Sequence, residues 1–187
     1  LCQVMGLRDD RPLLAGAEQA RLTERSAGKD TTTGHWELMG CALDAPFATF
    51  ESFPDDLVSE LQERGGVEFL GNHAASGTEI LVKLGEEHVR TGKPILYTSA
   101  DSVLQIAAHE EIFGLQRLWD LCKTARRLLD ERGIRIGRVI ARPFVGNSAA
   151  DFQRTGNRHD YSLMPGETTL NRLQRAEVET LGVGKIA

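Results

Sequence analysis

Apolar positions recur at helical spacing over most of the chain, interrupted by short runs that alternate or stay apolar throughout. Leu14, Ala17, Glu18 and Leu22 are spaced around helical turns, which predicts a helix over residues 13–27. The same spacing returns over 79–91 through Ile80, Leu81, Leu84 and Val89, and over 102–112. It is clearest over 115–132, where Leu115, Leu118, Leu121, Cys122, Ala125, Leu128 and Leu129 form one stripe and Gly133 supplies a C-terminal stop. Pro54 followed by Asp55 and Asp56 marks the first turn of a helix over 54–64. A last helix is predicted over 167–176. Strands are predicted at Val67–Leu70, Lys93–Thr98, Ile134–Phe144 and Val178–Gly184. Polar loops are expected over 71–78, 99–102 and 145–160.

Helices and strands alternate, so the expected class is α/β. The Pro46–Pro54 connector and the Pro165-Gly166 pair are the candidate domain boundaries. No internal repeat or low-complexity segment is present. The chain of 187 residues opens on Leu1 and stops on a strand-like segment, which reads as two cuts in a longer protein. The first residues lack a charged region before a long apolar run, so no signal peptide is read there. No run approaches the roughly 18 apolar residues that a membrane span needs.

Charge changes this picture locally. The net charge is −5, which speaks against a general nucleic-acid binder. Between Leu115 and Arg158, however, ten Lys and Arg face four acids, so this stretch carries +6 and the remainder −11. Arg117 to Arg132 reads mostly as a solvated helix face. Arg138, Arg142, Arg154 and Arg158 lie on or after a strand, where arginine suits either bidentate phosphate capture or surface ion pairs. Cys2, Cys41 and Cys122 form no CxxC pair or disulfide framework, which fits a reducing cytoplasm. The five histidines show no HExxH or His-x-His spacing, and His109-Glu110-Glu111 reads as a surface feature of a helix.

The densest chemistry lies at Lys29-Asp30-Thr31-Thr32-Thr33-Gly34-His35. Asp30 or a threonine can cap a short helix starting here, with Glu37 inside it. A threonine hydroxyl at such a terminus lies beside free N–H groups and the positive end of the helix dipole. That setting favours a transferring phosphoryl group. Capping alone is the commoner use of such a cluster.

Longer strings decide between these uses. The run Gly28-Lys29-Asp30-Thr31-Thr32-Thr33-Gly34-His35-Trp36-Glu37 resembles the GKDTxTGHWE motif of the bacterial phosphopentomutase family. Tyr97 to Glu111, Gly137 to Gly146 and Arg154 to Tyr161 resemble three further blocks of that family, in the same order. The resemblance implies an alkaline phosphatase-like α/β core with an inserted α/β cap. It divides the chain into 1–51 (partial core with the nucleophile loop), 52–165 (cap) and 166–187 (return to the core). It implies interconversion of ribose 1-phosphate and ribose 5-phosphate, and of the 2-deoxyribose equivalents, through a phosphothreonine enzyme and a 1,5-bisphosphate intermediate.

By the same resemblance Thr31 is the nucleophile and a metal ligand. Ser99, Asp101 and Val103 surround the sugar, Arg138 and Arg154 hold the distal phosphate, and Lys185 faces the substrate. Arg142, Arg158 and His159 lie in matching blocks with no role fixed, and His35 and Trp36 are expected to pack behind the nucleophile loop. The family uses two divalent metal ions, manganese being the expected pair, with ribose 1,5-bisphosphate as activator. Of the metal ligands only Thr31 is expected here, so the chain by itself is expected to be inactive. The expected partner is a pentose phosphate, with no nucleic acid and no membrane. A sugar-phosphate-binding module and a metal-dependent phosphatase of the same superfamily are the alternatives. Asp101 has a second reading as the cap of a following helix.

Overall fold

The computed structural model describes residues 22–28 and 30–182. The order is α1 (Thr31–Leu38), α2 (Asp55–Gly65), β1 (Leu70–Ala74), α3 (Gly77–Thr91), β2 (Ile95–Thr98), β3 (Val103–His109), α4 (Leu115–Glu131), β4 (Arg138–Val145), β5 (Gln153–Arg154), β6 (His159–Ser162) and α5 (Thr169–Arg175). The class is α/β, as the alternation predicts. The strands form one mixed sheet in the order β1-β2-β3-β4, and both β5 and β6 pair antiparallel with β4. The pairs β1–β2 and β3–β4 are parallel, whereas β2–β3 is antiparallel.

The sheet therefore consists of two parallel β-helix-β units joined by a hairpin. Crossovers of this kind are right-handed, so reversing the strand direction between the units sends their helices to opposite faces. The packing agrees. Leu96, Leu104, Ile106, Val139 and Ala141 point to one face and pack with Leu57 and Leu61 of α2 and with Leu118, Leu121, Leu128 and Leu129 of α4. Ile95, Tyr97, Ala107 and Phe144 point to the other face and pack with Ile80 and Leu81 of α3.

Along the sheet three sequence expectations are corrected. Residues 103–109 form the central strand β3, not a helix. All seven residues are buried, so no polar face reveals a period of two, and pairing with both neighbours overrides the helix preference of Leu104-Gln105-Ile106-Ala107-Ala108. One turn of π-helix follows over Glu110–Gly114. His109 accordingly ends a buried strand and is not on the surface. The second correction moves β1 from Val67–Leu70 to Leu70–Ala74, into the expected loop. Gly71 and Asn72 carry φ of +91° and +72°, and the register with β2 shifts between Gly71 and His73. A side chain at Gly71 would lie 2.6 Å from the Leu96 carbonyl oxygen, so glycine is what allows this edge to pair. Third, the expected loop over 145–160 contains β5 and the start of β6.

The first helix expectation falls largely outside the described residues, and its described part, 22–27, is not helical. Residues 178–182 form no strand, and Lys185 lies outside the described residues. The remaining helices stand within a few residues of their predicted bounds, and Gly133 at φ +66° follows α4 as the stripe suggested. Among the described residues no helix is long and apolar enough to cross a membrane.

Candidate active site

Helix α1 is positioned by its own polar residues. Asp30 is the N-cap: its carboxylate accepts from the Thr33 N–H at 3.0 Å and from the Thr33 hydroxyl at 2.6 Å. Thr33 is thus buried as a structural hydroxyl, whereas Thr31, the first helical residue, is exposed. The first intrahelical bond runs from the Gly34 N–H to the Asp30 carbonyl, and the N–H groups of Thr31 and Thr32 take no described partner. Glu37 fixes the segment before the loop, accepting from the backbone N–H of Arg25 and of Ser26, each at 2.7 Å. Hydrogen bonds from Ser26 and from these N–H groups hold the Glu37 carboxyl below its ordinary pKa.

Opposite α1 lies the end of the sheet where β3 and β4 begin. Ser102 ties this end together: its hydroxyl donates to the Ala48 carbonyl at 2.5 Å and accepts from the Gly137 N–H at 3.1 Å. Phe47 packs edge-on against Trp36 of α1, with ring centroids 5.4 Å apart. A side chain at Gly137 would press on the Phe47 ring and the Ser102 carbonyl, so glycine lets the connector close on the sheet.

Between α1 and the sheet end lies a cavity of about 670 Å³. Thr31, Thr32 and His35 line it from the helix, Asp101 from the β2–β3 loop, and Arg138 and Asp160 from the sheet. Three of the residues singled out in the sequence, Thr31, Asp101 and Arg138, therefore meet around one space. Asp101 precedes a strand, so it caps no helix. His35 and Trp36 belong to the cavity wall and are not merely behind it.

Ser99, Val103 and Arg154 do not line this cavity. Ser99 is half-buried at the start of the β2–β3 loop. The Val103 side chain is buried, its N–H donates to the Asp101 carbonyl at 2.9 Å, and its carbonyl accepts from the Thr98 hydroxyl at 2.8 Å. Arg154 lies further along the same sheet face, with its guanidinium against Gly77 at the start of α3 and near the Tyr97 hydroxyl.

The arginines of this face are met by little negative charge. Asp160 takes Arg158 with two short bonds and stands 3.5 Å from Arg138. Arg142 donates to the Gln105 side-chain oxygen at 3.0 Å. Among the described residues, neither Arg142 nor Arg154 pairs with a carboxylate. Burial, helped by Arg158 and Arg154, lowers the pKa of Arg142, and burial raises that of Tyr97 against the pull of the three arginines. Such a face suits an anion with several oxygens. Asp160, Ser102 and Phe47 escaped the sequence reading. Asp160 and Ser102 each carried a signal, Asp160 two residues after Arg158 in the fourth family block and Ser102 next to Asp101 in the second.

The described residues do not make a metal centre. No group of three His, Cys, Asp or Glu side chains comes together among them. Beside the Thr31 hydroxyl, the Asp30 carboxylate is already used by Thr33, and the His35 Nδ1 is bonded to the Thr31 carbonyl at 2.6 Å.

No family model matches the chain. Curated relatives do. The chain is 54% identical over its whole length to a phosphopentomutase of Symbiobacterium thermophilum, covering 47% of that protein. It is 55% identical over 89% of its length to one of Syntrophotalea carbinolica, covering 43%. It is 52% identical over 98% of its length to one of Carboxydothermus hydrogenoformans, covering 47%. The chain spans about half the length of the curated relatives it matches. By sequence, then, the chain is similar to about half the length of phosphopentomutases, at 52–55% identity.

Proposed function

We propose that a polypeptide of the relatives' length carrying this chain interconverts ribose 1-phosphate and ribose 5-phosphate, and their 2-deoxyribose equivalents, with Thr31 as the phosphoryl carrier. The observation that carries this reading is the single cavity in which an exposed threonine hydroxyl at a helix start faces an arginine on the sheet.

Each residue then has a physical task. The phosphothreonine gives its phosphoryl group to the free hydroxyl of the sugar phosphate: the bond from phosphorus to Thr31 Oγ breaks, a bond to the sugar oxygen forms, and the proton of the sugar hydroxyl ends on the released Thr31 oxygen. The 1,5-bisphosphate then returns its other phosphoryl group to Thr31. The N–H groups of Thr31 and Thr32, which take no partner among the described residues, and the dipole of α1 lie where negative charge gathers in both steps. Arg138 holds the phosphate that does not react, and Asp101 bonds a sugar hydroxyl. Ser99, Val103 and Arg154 join the substrate contacts in this reading, as does Lys185. A fixed distal phosphate turns the second transfer into a reaction of a positioned group, which is where most of the acceleration comes from.

The proposal assigns 1–51 and 166–187 to a core domain and 52–165 to a substrate-binding cap. It includes two divalent ions, manganese in this reading, which would clamp the attacking and leaving oxygens. Of their ligands the described residues offer the Thr31 hydroxyl alone, so no step here is routed through them. Ribose 1,5-bisphosphate is the activator, because it loads the threonine, and the reaction belongs in the cytoplasm. Thr31→Val tests the reading: turnover of ribose 1-phosphate in a coupled assay should fall at least about a thousandfold, as expected when a covalent carrier is lost. Retention of a tenth of the activity would overturn it.

A further inference from the structure

We infer that Arg158 is a positioning residue for the phosphate subsite: it holds the Asp160 carboxylate off Arg138 and so keeps the Arg138 guanidinium open to an anion in the cavity. The inference rests on the assignment of Arg138 to the distal phosphate.

Sheet register makes Asp160 a rival for Arg138. On β4–β6, Arg138 pairs with Ser162 and Ile140 with Asp160, so Asp160 is the diagonal neighbour of Arg138 on the same face. Both line the cavity, and Arg158 does not. A carboxylate and a phosphate offer arginine the same planar pair of acceptors. Asp160 is thus a built-in competitor for the group that the substrate needs.

The bond lengths show where the carboxylate is spent. Arg158 Nε lies 2.7 Å from Oδ1 and its Nη2 lies 2.6 Å from Oδ2. This is a two-pronged pair that engages both oxygens. Arg138 Nη1 reaches Oδ2 at 3.5 Å, the long limit of a hydrogen bond. The remaining charged groups on this face do not change the balance. Arg142 is bonded to Gln105, Arg154 lies against Gly77, and neither pairs with a described carboxylate. Removing Arg158 leaves Asp160 free to turn fully onto Arg138 and mask it.

The test is a double-variant cycle in the full-length polypeptide, reading the Kd for inorganic phosphate and the KM and kcat for ribose 5-phosphate. Arg158→Gln should weaken phosphate binding about fivefold, the scale of one partly exposed charge pair, and raise KM with kcat little changed. Asp160→Asn alone should bind phosphate no more weakly than wild type. The double variant should return to the Asp160→Asn value, because with no carboxylate there is nothing for Arg158 to restrain. Arg158→Lys, which keeps the charge without the fork, should fall between wild type and Arg158→Gln. If the double variant stays as weak as Arg158→Gln, Arg158 touches the ligand or merely supports the fold, and the inference fails. It fails equally if Arg158→Gln binds as wild type does, or if wild type binds no inorganic phosphate. Phosphorylation of Thr31 is scored separately: its absence strikes the mutase reading and leaves the cycle intact.

Discussion

The two faces of the sheet divide the work of this molecule. Along β3 and β4 the residues alternate, and every second one enters the layer under α2 and α4: Leu104, Ile106, Ala108, Val139 and Ala141. The residues between them point the other way. There α3 covers Ile95, Tyr97, Ala107 and Phe144, while Arg138, Arg142 and Asp160 stand half-buried beside the buried Gln105 and Ile140. One pair of strands thus packs on both sides but carries its charge on one only. The apolar side chains under α2 and α4 and the charged side chains are kept a strand's thickness apart, so a change to one set should leave the other nearly intact.

The sharpest break of this comparison is on the packed face. Leu104→Ala should cost about 2–5 kcal/mol in a urea melt, because Leu104 is fully enclosed and its neighbours cannot collapse freely. A loss under about 1 kcal/mol would mean that the layer under α4 is looser than described.

On the polar face the pattern should reverse. Arg138→Ala should change stability by no more than about 0.5 kcal/mol, since Asp160 keeps its bonds to Arg158. Binding of ribose 5-phosphate should weaken by about 1.5–3 kcal/mol, the scale of charge-assisted bonds, and calorimetry on the same protein reads it. A large fall in melting temperature would place Arg138 in the framework instead.

Acid should probe the seam between the faces. His88 is buried on α3; its Nδ1 donates to the Lys93 carbonyl and its Nε2 accepts from the His109 N–H, an arrangement that only the neutral ring can make. Burial lowers its pKa below the ordinary 6.5. As pH falls through 6.5 the unfolded chain takes up a proton that the folded chain refuses. Stability should therefore decline with falling pH from there until the folded ring also titrates. The slope of stability against pH should flatten in His88→Gln, and an unchanged slope would remove His88 from the account.

The smallest effect belongs to Glu37. Its carboxyl is held below its ordinary pKa of 4.5, so its contribution is present above that value and lost as pH falls through the lower folded one. Glu37→Gln should lower the melting temperature slightly at pH 7, and the difference from wild type should shrink in acid.

The same division explains what could be read from the sequence. Helices α3 and α4 each have one wet face, so their apolar stripes announce them. β3 is dry on both faces and reads as a helix until its partners are known. β1 is an edge built on Gly71 and Asn72, whose left-handed backbone looks like a loop in the sequence. In the site, Thr31, Asp101 and Arg138 were legible because a long family motif names them. Asp160, Ser102 and Phe47 were not, since Asp160 works through sheet register, Ser102 through backbone contacts and Phe47 through ring packing on Trp36. The start of α5 also meets the end of α1, where the Thr169 N–H donates to the Met39 carbonyl at 2.7 Å, a contact that only the folded chain reveals.

The central claim is that Thr31 carries the phosphoryl group. The most direct measurement is peptide mapping by mass spectrometry of the full-length polypeptide after incubation with manganese and ribose 1,5-bisphosphate. The account predicts one phosphate, on Thr31, and none on Thr32 or the buried Thr33. A protein that binds the bisphosphate yet shows no phosphate on Thr31 would contradict it and leave the cavity as a binding or hydrolytic site.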